Sequence, residues 1–224
     1  GNRNVNCAQL KRKGNNVTTE YHINLPNPVR VKCDMETKGG GWTVIQRRGK
    51  YEKSEENLFE RTGEEYNDGF GDPAVSNWIG NLLELRDTEK RQSSALGLSC
   101  VVSFCSPRLA AVSKEQNSCG SAHRRRYDAL GPYNAAKFFI AKNDYAVMVP
   151  GCYPPLSGGW WFHECVHSNL NGRKFKSTDT KNKRGLGITW LKKNDEKSYD
   201  TVYNTVEMKI RDADFDFCMG NMAT

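Results

Sequence analysis

The residues best suited to chemistry are His163 to His167, which read His-Glu-Cys-Val-His. Two histidines one helical turn apart, with a glutamate beside the first, form the zinc pattern of metalloproteases, in which the glutamate activates a water molecule. Gly158 and Gly159 precede the pattern and Gly172 follows it, so turns are favoured over the required helix. No histidine follows His167 as a third ligand, although a carboxylate from elsewhere in the chain could take that place. This pattern is the one feature of the sequence that favours an enzyme, and we expect the protein not to be one.

Cysteines provide a second candidate metal site. Cys100, Cys105 and Cys119 precede His123, and these ligand types could hold zinc, although zinc ribbons usually use more closely spaced pairs. The chain has eight cysteines, and an even number is typical of disulfides formed in an oxidising compartment. The three cysteines could pair with one another or with Cys218, whose place in the C-terminal tail also suits a bridge between two chains. We therefore expect a homo-oligomer.

The chain is basic, with 33 Lys and Arg against 26 Asp and Glu and a formal charge of +7. Basic clusters lie at Lys11 to Lys13, Arg124 to Arg126 and Lys181 to Arg184. Apart from Tyr127, no aromatic residue near the arginine run would stack on bases, so we expect no nucleic-acid partner. The clusters predict a solvated surface, with heparin-like or phosphate-bearing ligands as the alternative.

Three signals bear on the compartment. No run of about 18 apolar residues occurs, so we expect no membrane span. Asn16, Val17 and Thr18 form an N-glycosylation sequon in a polar stretch. The first residues are polar, and we expect any signal peptide to have been removed or to lie outside this sequence. With the even cysteine count, these signals predict a secreted, extracellular glycoprotein modified at Asn16.

The elements that must position such residues are mostly short strands. Alternating and β-branched residues predict strands at 20–25, 29–33, 42–47 and 201–211. Pro26, Asn27 and Pro28 predict a turn between the first two, and three glycines at 39–41 allow close backbone approach before the third. Long amphipathic helices are few. The length fits one domain of ordinary size.

Four motifs follow one another along the chain. They are VKCDMETKGGGWTVIQRR at 31–48, EYNDGFGD at 65–72 with NWIGN at 77–81, GGWWFHECVHSNLNG at 158–172, and GITW at 187–190 with EMKIR at 207–211. In composition and order they resemble the fibrinogen-related domain found in fibrinogen C-terminal regions, ficolins, tachylectins and invertebrate fibrinogen-like lectins.

The resemblance implies an α+β fold that fills residues 1–224 as a single fibrinogen C-terminal-like domain. We expect a small disulfide-closed N-terminal unit at about 5–40 and a central twisted, mainly antiparallel sheet with short helices at about 41–110, completed by a strand at 201–211. A loop-rich ligand and calcium region would occupy about 111–200, and a tail 212–224. The segment 88–151 departs from the family's pattern, either because it has diverged or because it is read out of frame.

The resemblance also implies two disulfides and a calcium loop. Cys7 would pair with Cys33, and Cys152 with Cys165. In this family two aspartates and backbone carbonyls hold calcium just before the second disulfide. Here Ala146 replaces the second aspartate or, if the loop is shifted by two, Lys142 replaces the first. Either alignment leaves a degraded calcium site, assigned to Asp144, Met148 and Pro150.

The family's ligand pocket beside that loop recognises acetyl groups of N-acetylated sugars, through backbone donors and aromatic rings. Counterparts of its residues are Glu164, Cys165, His167 and Tyr199, and Arg184 stands where aromatic residues are common. An arginine there would favour acidic glycans.

The leading hypothesis is therefore a secreted, non-enzymatic lectin of the innate-immune type that binds N-acetylated or acidic glycans on microbial or host surfaces. The alternative is a protein–protein interaction module like the fibrinogen and angiopoietin members, without sugar binding.

Overall fold

A computed structural model describes residues 6–25, 27–49, 58–80, 98–105, 119–121, 138–140, 156–162, 168–175, 186–191, 195, 197–198, 203 and 205–212. The chain forms two compact units. The first comprises residues 1–47, 68–102 and 207–224, and the second comprises residues 48–67 and 103–206.

The first unit begins with helix α1, Cys7–Arg12. The Oδ1 atom of Asn6 caps this helix by accepting a hydrogen bond from the Gln9 N–H at 3.0 Å. Cys7, Ala8 and Leu10 face the core. The N–H of Cys7 donates to Thr43 Oγ1 at 3.0 Å, and a Cys7–Cys33 disulfide joins the helix to the sheet. The predicted disulfide of the N-terminal unit is confirmed.

Two antiparallel strands follow, β1 (Thr19–Leu25) and β2 (Asn27–Asp34). The pairing extends into the predicted turn, because Asn24 faces Pro28 and Leu25 faces Asn27. The second strand therefore begins two residues earlier than the predicted Val29. An antiparallel ladder points every second N–H away from its partner strand, so a proline, which has no N–H, is tolerated there.

Strand β3, Trp42–Arg48, pairs with β2 through Cys33 opposite Thr43 and Asp34 opposite Trp42. All five residues from Trp42 to Gln46 are buried, so side chains on both faces of this strand are covered.

The sheet of the first unit has the order β1-β2-β3-β10-β6, where β6 is Leu98–Cys105 and β10 is Thr205–Asp212. Two short strands, β4 (Phe70–Asp72) and β5 (Ser76–Trp78), pair with each other, and β5 also pairs with β3. The predicted C-terminal strand thus exists but begins at Thr205. Its place beside β3 brings residues far apart in sequence into one sheet.

A buried ion pair joins β2 to β10 in this unit. Lys209 Nζ lies 2.6 Å from Asp34 Oδ2, and their side chains are only 5% and 10% exposed. The other carboxylate oxygen, Oδ1, accepts hydrogen bonds from the N–H groups of Glu36 and Thr37. Both oxygens of this carboxylate are therefore paired, as a buried charge requires.

The second unit contains helix α2 (Gly63–Asp68) and strands β7 (Cys119–Ser121), β8 (Phe139–Ile140) and β9 (Gly159–Trp160). Thr62 and Glu65 form a capping box at the start of α2: the Glu65 N–H donates to Thr62 Oγ1 and the Thr62 N–H donates to Glu65 Oε2. Strand β7 pairs with the Ser103–Cys105 end of β6, and β8 pairs with β9. Large buried side chains form its core: Phe59, Tyr66, Trp160, Leu170, Ile188 and Trp190.

No helix in the described part of the chain is both long and apolar enough to cross a membrane. The observed architecture is a mainly antiparallel sheet with a few short helices, as the sequence predicted.

Candidate binding site

A buried tyrosine holds the centre of the second unit. The Tyr66 side chain is 1% exposed; its hydroxyl donates to the Phe59 carbonyl at 2.8 Å and accepts from the Gly159 N–H at 2.9 Å. Burial raises the pKa of this hydroxyl, so it remains protonated and keeps both bonds at neutral pH. Tyr66 thus fixes the start of β9, directly before the double tryptophan.

Two asparagines connect residues 156–162 to residues 168–175. Asn169 Nδ2 donates to the Ser157 carbonyl, and Asn171 Nδ2 donates to the Gly159 carbonyl, each at 2.8 Å. Asn169 Oδ1 accepts from the Asn171 N–H at 3.0 Å. Both side chains are buried, and their hydrogen bonds satisfy buried backbone groups of these two segments.

Gly158 allows these two segments to approach. Its φ is +69°, and a Cβ there would overlap the carbonyl oxygen of Asn171. Only glycine fits both the backbone conformation and the space.

The segment 186–191 packs beside the same residues. Asn169 and Thr189 exchange two backbone hydrogen bonds at 3.0 and 2.9 Å, and the Leu191 N–H donates to Ser168 Oγ at 2.9 Å. Ser157 Oγ donates to the Leu186 carbonyl at 2.6 Å. Three successive segments of the chain therefore form one hydrogen-bonded framework.

Two cationic side chains also donate hydrogen bonds to backbone carbonyl groups in this region. Arg48 is 1% exposed; its Nη1 donates to the Leu170 and Gly172 carbonyls, and its guanidinium lies 4.1 Å from the Phe59 ring centroid. Lys174 Nζ donates to the Gly49 carbonyl at 2.6 Å. Arg48 thus holds residues 170–172 through their carbonyl groups, and the buried ammonium of Lys174 holds that residue against Gly49.

Aromatic rings line the framework beside β8 and β9. The Phe138 ring lies 5.2 Å from both the Tyr66 and Trp161 rings, and Trp160 lies 5.1 Å from Trp161. The Phe138–Trp161 and Trp160–Trp161 pairs pack edge to face, which is favourable beyond the area that they bury, and the Tyr66–Phe138 pair is tilted. We name the set Tyr66, Phe138, Gly158–Trp161, Asn169, Asn171 and Thr189 the asparagine–tryptophan framework.

Apart from Tyr199, the predicted ligand residues belong to three segments that lie outside the described residues: 141–155, 163–167 and 176–185. Described residues border each segment, and those beside 163–167 are Phe162 and Ser168, which are 6% and 2% exposed. Each segment thus adjoins in sequence the residues 156–162 or 168–175, which the two asparagines connect.

The predicted ligand residues themselves lie outside the described residues. This holds for the calcium residues Asp144, Met148 and Pro150, for the sugar residues Glu164, Cys165, His167, Arg184 and Tyr199, for the Cys152–Cys165 disulfide, for the zinc pattern at 163–167, and for the basic clusters at 124–126 and 181–184. Each of these assignments stays a prediction.

The other sequence candidates are described in part. Asn16 of the sequon is exposed, and Lys11 of the first basic cluster donates to Asn16 Oδ1 and to the Met35 carbonyl. Cys105 lies directly opposite Cys119 in the β6–β7 pair, whereas His123 lies outside the described residues. Within the described ranges, no group of three or more His, Cys, Asp and Glu residues is arranged to hold a metal.

Sequence reasoning missed the residues that build the framework. Asn169 and Asn171 were part of a recognised motif, but nothing assigned them a role. A spacing of two lets an asparagine oxygen accept from the backbone N–H two residues on, as Asn169 Oδ1 does from Asn171, and this was the available signal. Tyr66 and Arg48 gave no such signal, because their partners are carbonyl groups more than a hundred residues away or on a neighbouring loop.

Comparison with known proteins identifies relatives of this chain. The family described as "Fibrinogen beta and gamma chains, C-terminal globular domain" matches residues 3–98 and 82–213. Mouse angiopoietin-4 is 39% identical over 184 residues, covering 74% of this chain and 34% of that protein. Dog angiopoietin-2 is 32% identical over 226 residues, covering 93% of this chain and 43% of that protein. The chain thus spans well under half the length of these angiopoietins.

A techylectin-like protein of the spider Phoneutria nigriventer is 32% identical over 193 residues, covering 84% of this chain and 76% of that protein. The fibrinogen-like globe domain of human ANGPTL6 superposes with a TM-score of 0.68 at 24% identity, covering 94% of this chain and 97% of that one. Such a likeness shows a shared fold. Motifs, disulfide, sheet and sequence matches agree: the chain belongs to the fibrinogen C-terminal domain family.

Proposed function

We propose that the chain is an extracellular, non-enzymatic recognition domain whose partner is a protein. The observation that carries this proposal is the similarity to angiopoietins, which reaches 39% identity over 74% of the chain. The sequence motifs resemble a family in which the angiopoietin members have protein partners. The comparisons thus favour the alternative hypothesis over the leading one of sugar binding.

The geometry supports a recognition role. The asparagine–tryptophan framework is extensively hydrogen-bonded, and all candidate contact residues except Tyr199 belong to segments that adjoin residues 156–162 or 168–175 in sequence. Binding residues are commonly carried by loops on a fixed scaffold. Lamprey fibrin D-dimer, of the same fold, was solved with the peptide ligand Gly-His-Arg-Pro-amide, so this fold accommodates a peptide in that protein.

The Cys7–Cys33 disulfide supports the extracellular part of the proposal. Disulfides persist in oxidising compartments and are rare in the cytosol. Closing the loop between Cys7 and Cys33 stabilises the N-terminal unit by about 3 kcal/mol.

A direct test measures binding of the labelled full chain to intact cells of its source organism. We expect saturable binding that disappears after the cells are treated with a protease that removes surface proteins. Gly158→Ala, which disturbs the framework, should lose binding, whereas Gly14→Ala in the first unit should retain it. Binding that survives removal of the surface proteins would contradict the proposal.

Sugar binding is the second candidate, and the techylectin-like relative favours it. In this version, Asp144, Met148 and Pro150 hold calcium, while Glu164, Cys165, His167, Arg184 and Tyr199 contact an N-acetylated or acidic glycan. Retention of the full chain on N-acetylglucosamine beads, elution by the free sugar and loss of retention in a calcium chelator would establish it. No retention with or without calcium would eliminate it.

A further inference from the structure

We propose that the folded chain carries an N-linked glycan on Asn16. Asn16, Val17 and Thr18 form the acceptor sequon, and they connect α1 to β1 in the first unit. The inference is independent of which partner the second unit binds.

The acceptor nitrogen of Asn16 has a hydrogen available for replacement. Asn16 is exposed, its Oδ1 accepts from Lys11 Nζ at 2.7 Å, and its Nδ2 donates to the Gly14 carbonyl at 3.1 Å. A side-chain amide nitrogen carries two hydrogens. One keeps the bond to Gly14, and the other can be replaced by a sugar without breaking either contact.

The fold also holds the sequon in one arrangement. Thr18 Oγ1 accepts from the Met35 N–H at 3.0 Å, and Lys11 Nζ donates to the Met35 carbonyl at 3.0 Å. Both ends of the sequon are thereby connected to Met35, directly at Thr18 and through Lys11 at Asn16. The sequon is therefore held at a defined place beside Met35, which directly follows β2.

The surface around the sequon leaves space for the sugar. Val17 between the two sequon positions is 66% exposed, and it is the one large hydrophobic side chain that is exposed among the described residues. A glycan core on Asn16 would lie beside Val17 in open solvent. Folding therefore does not require the attached sugar to be buried or displaced.

The reaction precedes folding, when the chain enters the secretory compartment. The donor is an oligosaccharide linked to a lipid diphosphate. A bond forms between Asn16 Nδ2 and the anomeric carbon of the first sugar, the bond from that carbon to the diphosphate oxygen breaks, and Nδ2 loses one proton. The lipid diphosphate is the leaving group, and no oxidation or reduction occurs.

The test is expression of the full chain in a secreting eukaryotic cell, followed by peptide mapping and digestion with a glycosidase that cleaves at asparagine. We expect the secreted chain to move faster on a gel after digestion, and the enzyme to leave an aspartate at position 16. Asn16→Gln should remove the mobility shift, whereas Thr18→Ser, which keeps both the sequon and a hydroxyl for Met35, should preserve it.

Peptide mapping of the secreted natural sequence decides the question even if Asn16→Gln is not secreted. An unmodified Asn16 in that protein would overturn the proposal. Loss of the shift in Thr18→Ser would also count against it. Neither result bears on whether the partner is a protein or a sugar, because the sequon lies in the first unit and the candidate binding residues belong to the second.

Discussion

Asp34 and Lys209 form the buried ion pair of the first unit, and the pair gives this unit a defined response to acid. Burial by itself would raise the pKa of Asp34, but hydrogen bonds from Lys209 and Thr37 outweigh it and lower the pKa from 3.8 to about 2. A carboxyl group with a depressed pKa stabilises the fold above its unfolded pKa and loses that contribution as the pH falls.

We therefore expect Asp34 to contribute about 2 kcal/mol at neutral pH, lost progressively between about pH 4 and pH 2. Urea denaturation across this range measures the loss. Asp34→Asn is the matched control, because the variant has no carboxyl group to titrate at this position. Equal pH dependence in the natural chain and the variant would show that the pair is not responsible.

The same pair predicts a large effect of Asp34→Asn at neutral pH. The amide keeps an acceptor for the Glu36 and Thr37 N–H groups but leaves the Lys209 ammonium with Glu207, whose Oε2 is 3.3 Å away. We expect a loss of about 3 kcal/mol in the free energy of unfolding, measured by urea denaturation. Adding Lys209→Met should recover part of that loss, and a double variant less stable than the single one would refute this explanation.

At the scale of elements, the framework depends on one hydroxyl that joins α2 to β9. Tyr66→Phe removes the bonds to the Phe59 carbonyl and the Gly159 N–H inside the second unit. We expect a loss of about 2 kcal/mol, because two buried backbone groups lose this partner. Tyr21→Phe is the matched control: its hydroxyl donates to the exposed Val17 carbonyl at 2.9 Å, where water can replace it. Similar losses for both variants would contradict the central role of Tyr66.

Substitution of Gly158 tests whether residues 156–162 and 168–175 must approach each other closely in the framework. Gly158→Ala combines a φ of +69° with overlap between Cβ and the Asn171 carbonyl. Gly14 has a φ of +89° and nothing within 4 Å of the position that a Cβ would occupy, so Gly14→Ala isolates the conformational cost alone. Thermal denaturation should show a loss of about 1 kcal/mol for Gly14→Ala and at least twice that for Gly158→Ala. Equal losses would mean that the two segments do not depend on this contact.

The sequence predicted the elements where local pattern and tertiary structure agree. The strands at 20–25 and 42–47 exist because β-branched and aromatic residues favour extended backbone, and the cysteine motif implied the Cys7–Cys33 pairing. Local pattern did not predict α1, whose six residues are held by a cap, a disulfide and a bond to Thr43. It also did not predict the framework, because hydrogen bonds between asparagine side chains and distant carbonyls have no periodic signal.

At the scale of the whole molecule, the two units have different roles. The first contains the disulfide, the buried ion pair and the proposed glycan. The second contains the framework and the segments with the candidate binding residues. The family match includes residues 82–213, so the segment 88–151 lies inside the matched range. Sequencing the transcript across that segment would establish its reading frame.

Whether the partner is a protein or a sugar decides the function of the whole molecule. The most direct measurement is displacement of the full chain from intact cells by free N-acetylglucosamine and free sialic acid, each with and without a calcium chelator. If the partner is a protein, neither sugar nor chelator displaces the bound chain, whereas removing surface proteins abolishes binding. Displacement by either sugar, with binding retained on cells stripped of surface proteins, would contradict a protein partner and establish the lectin.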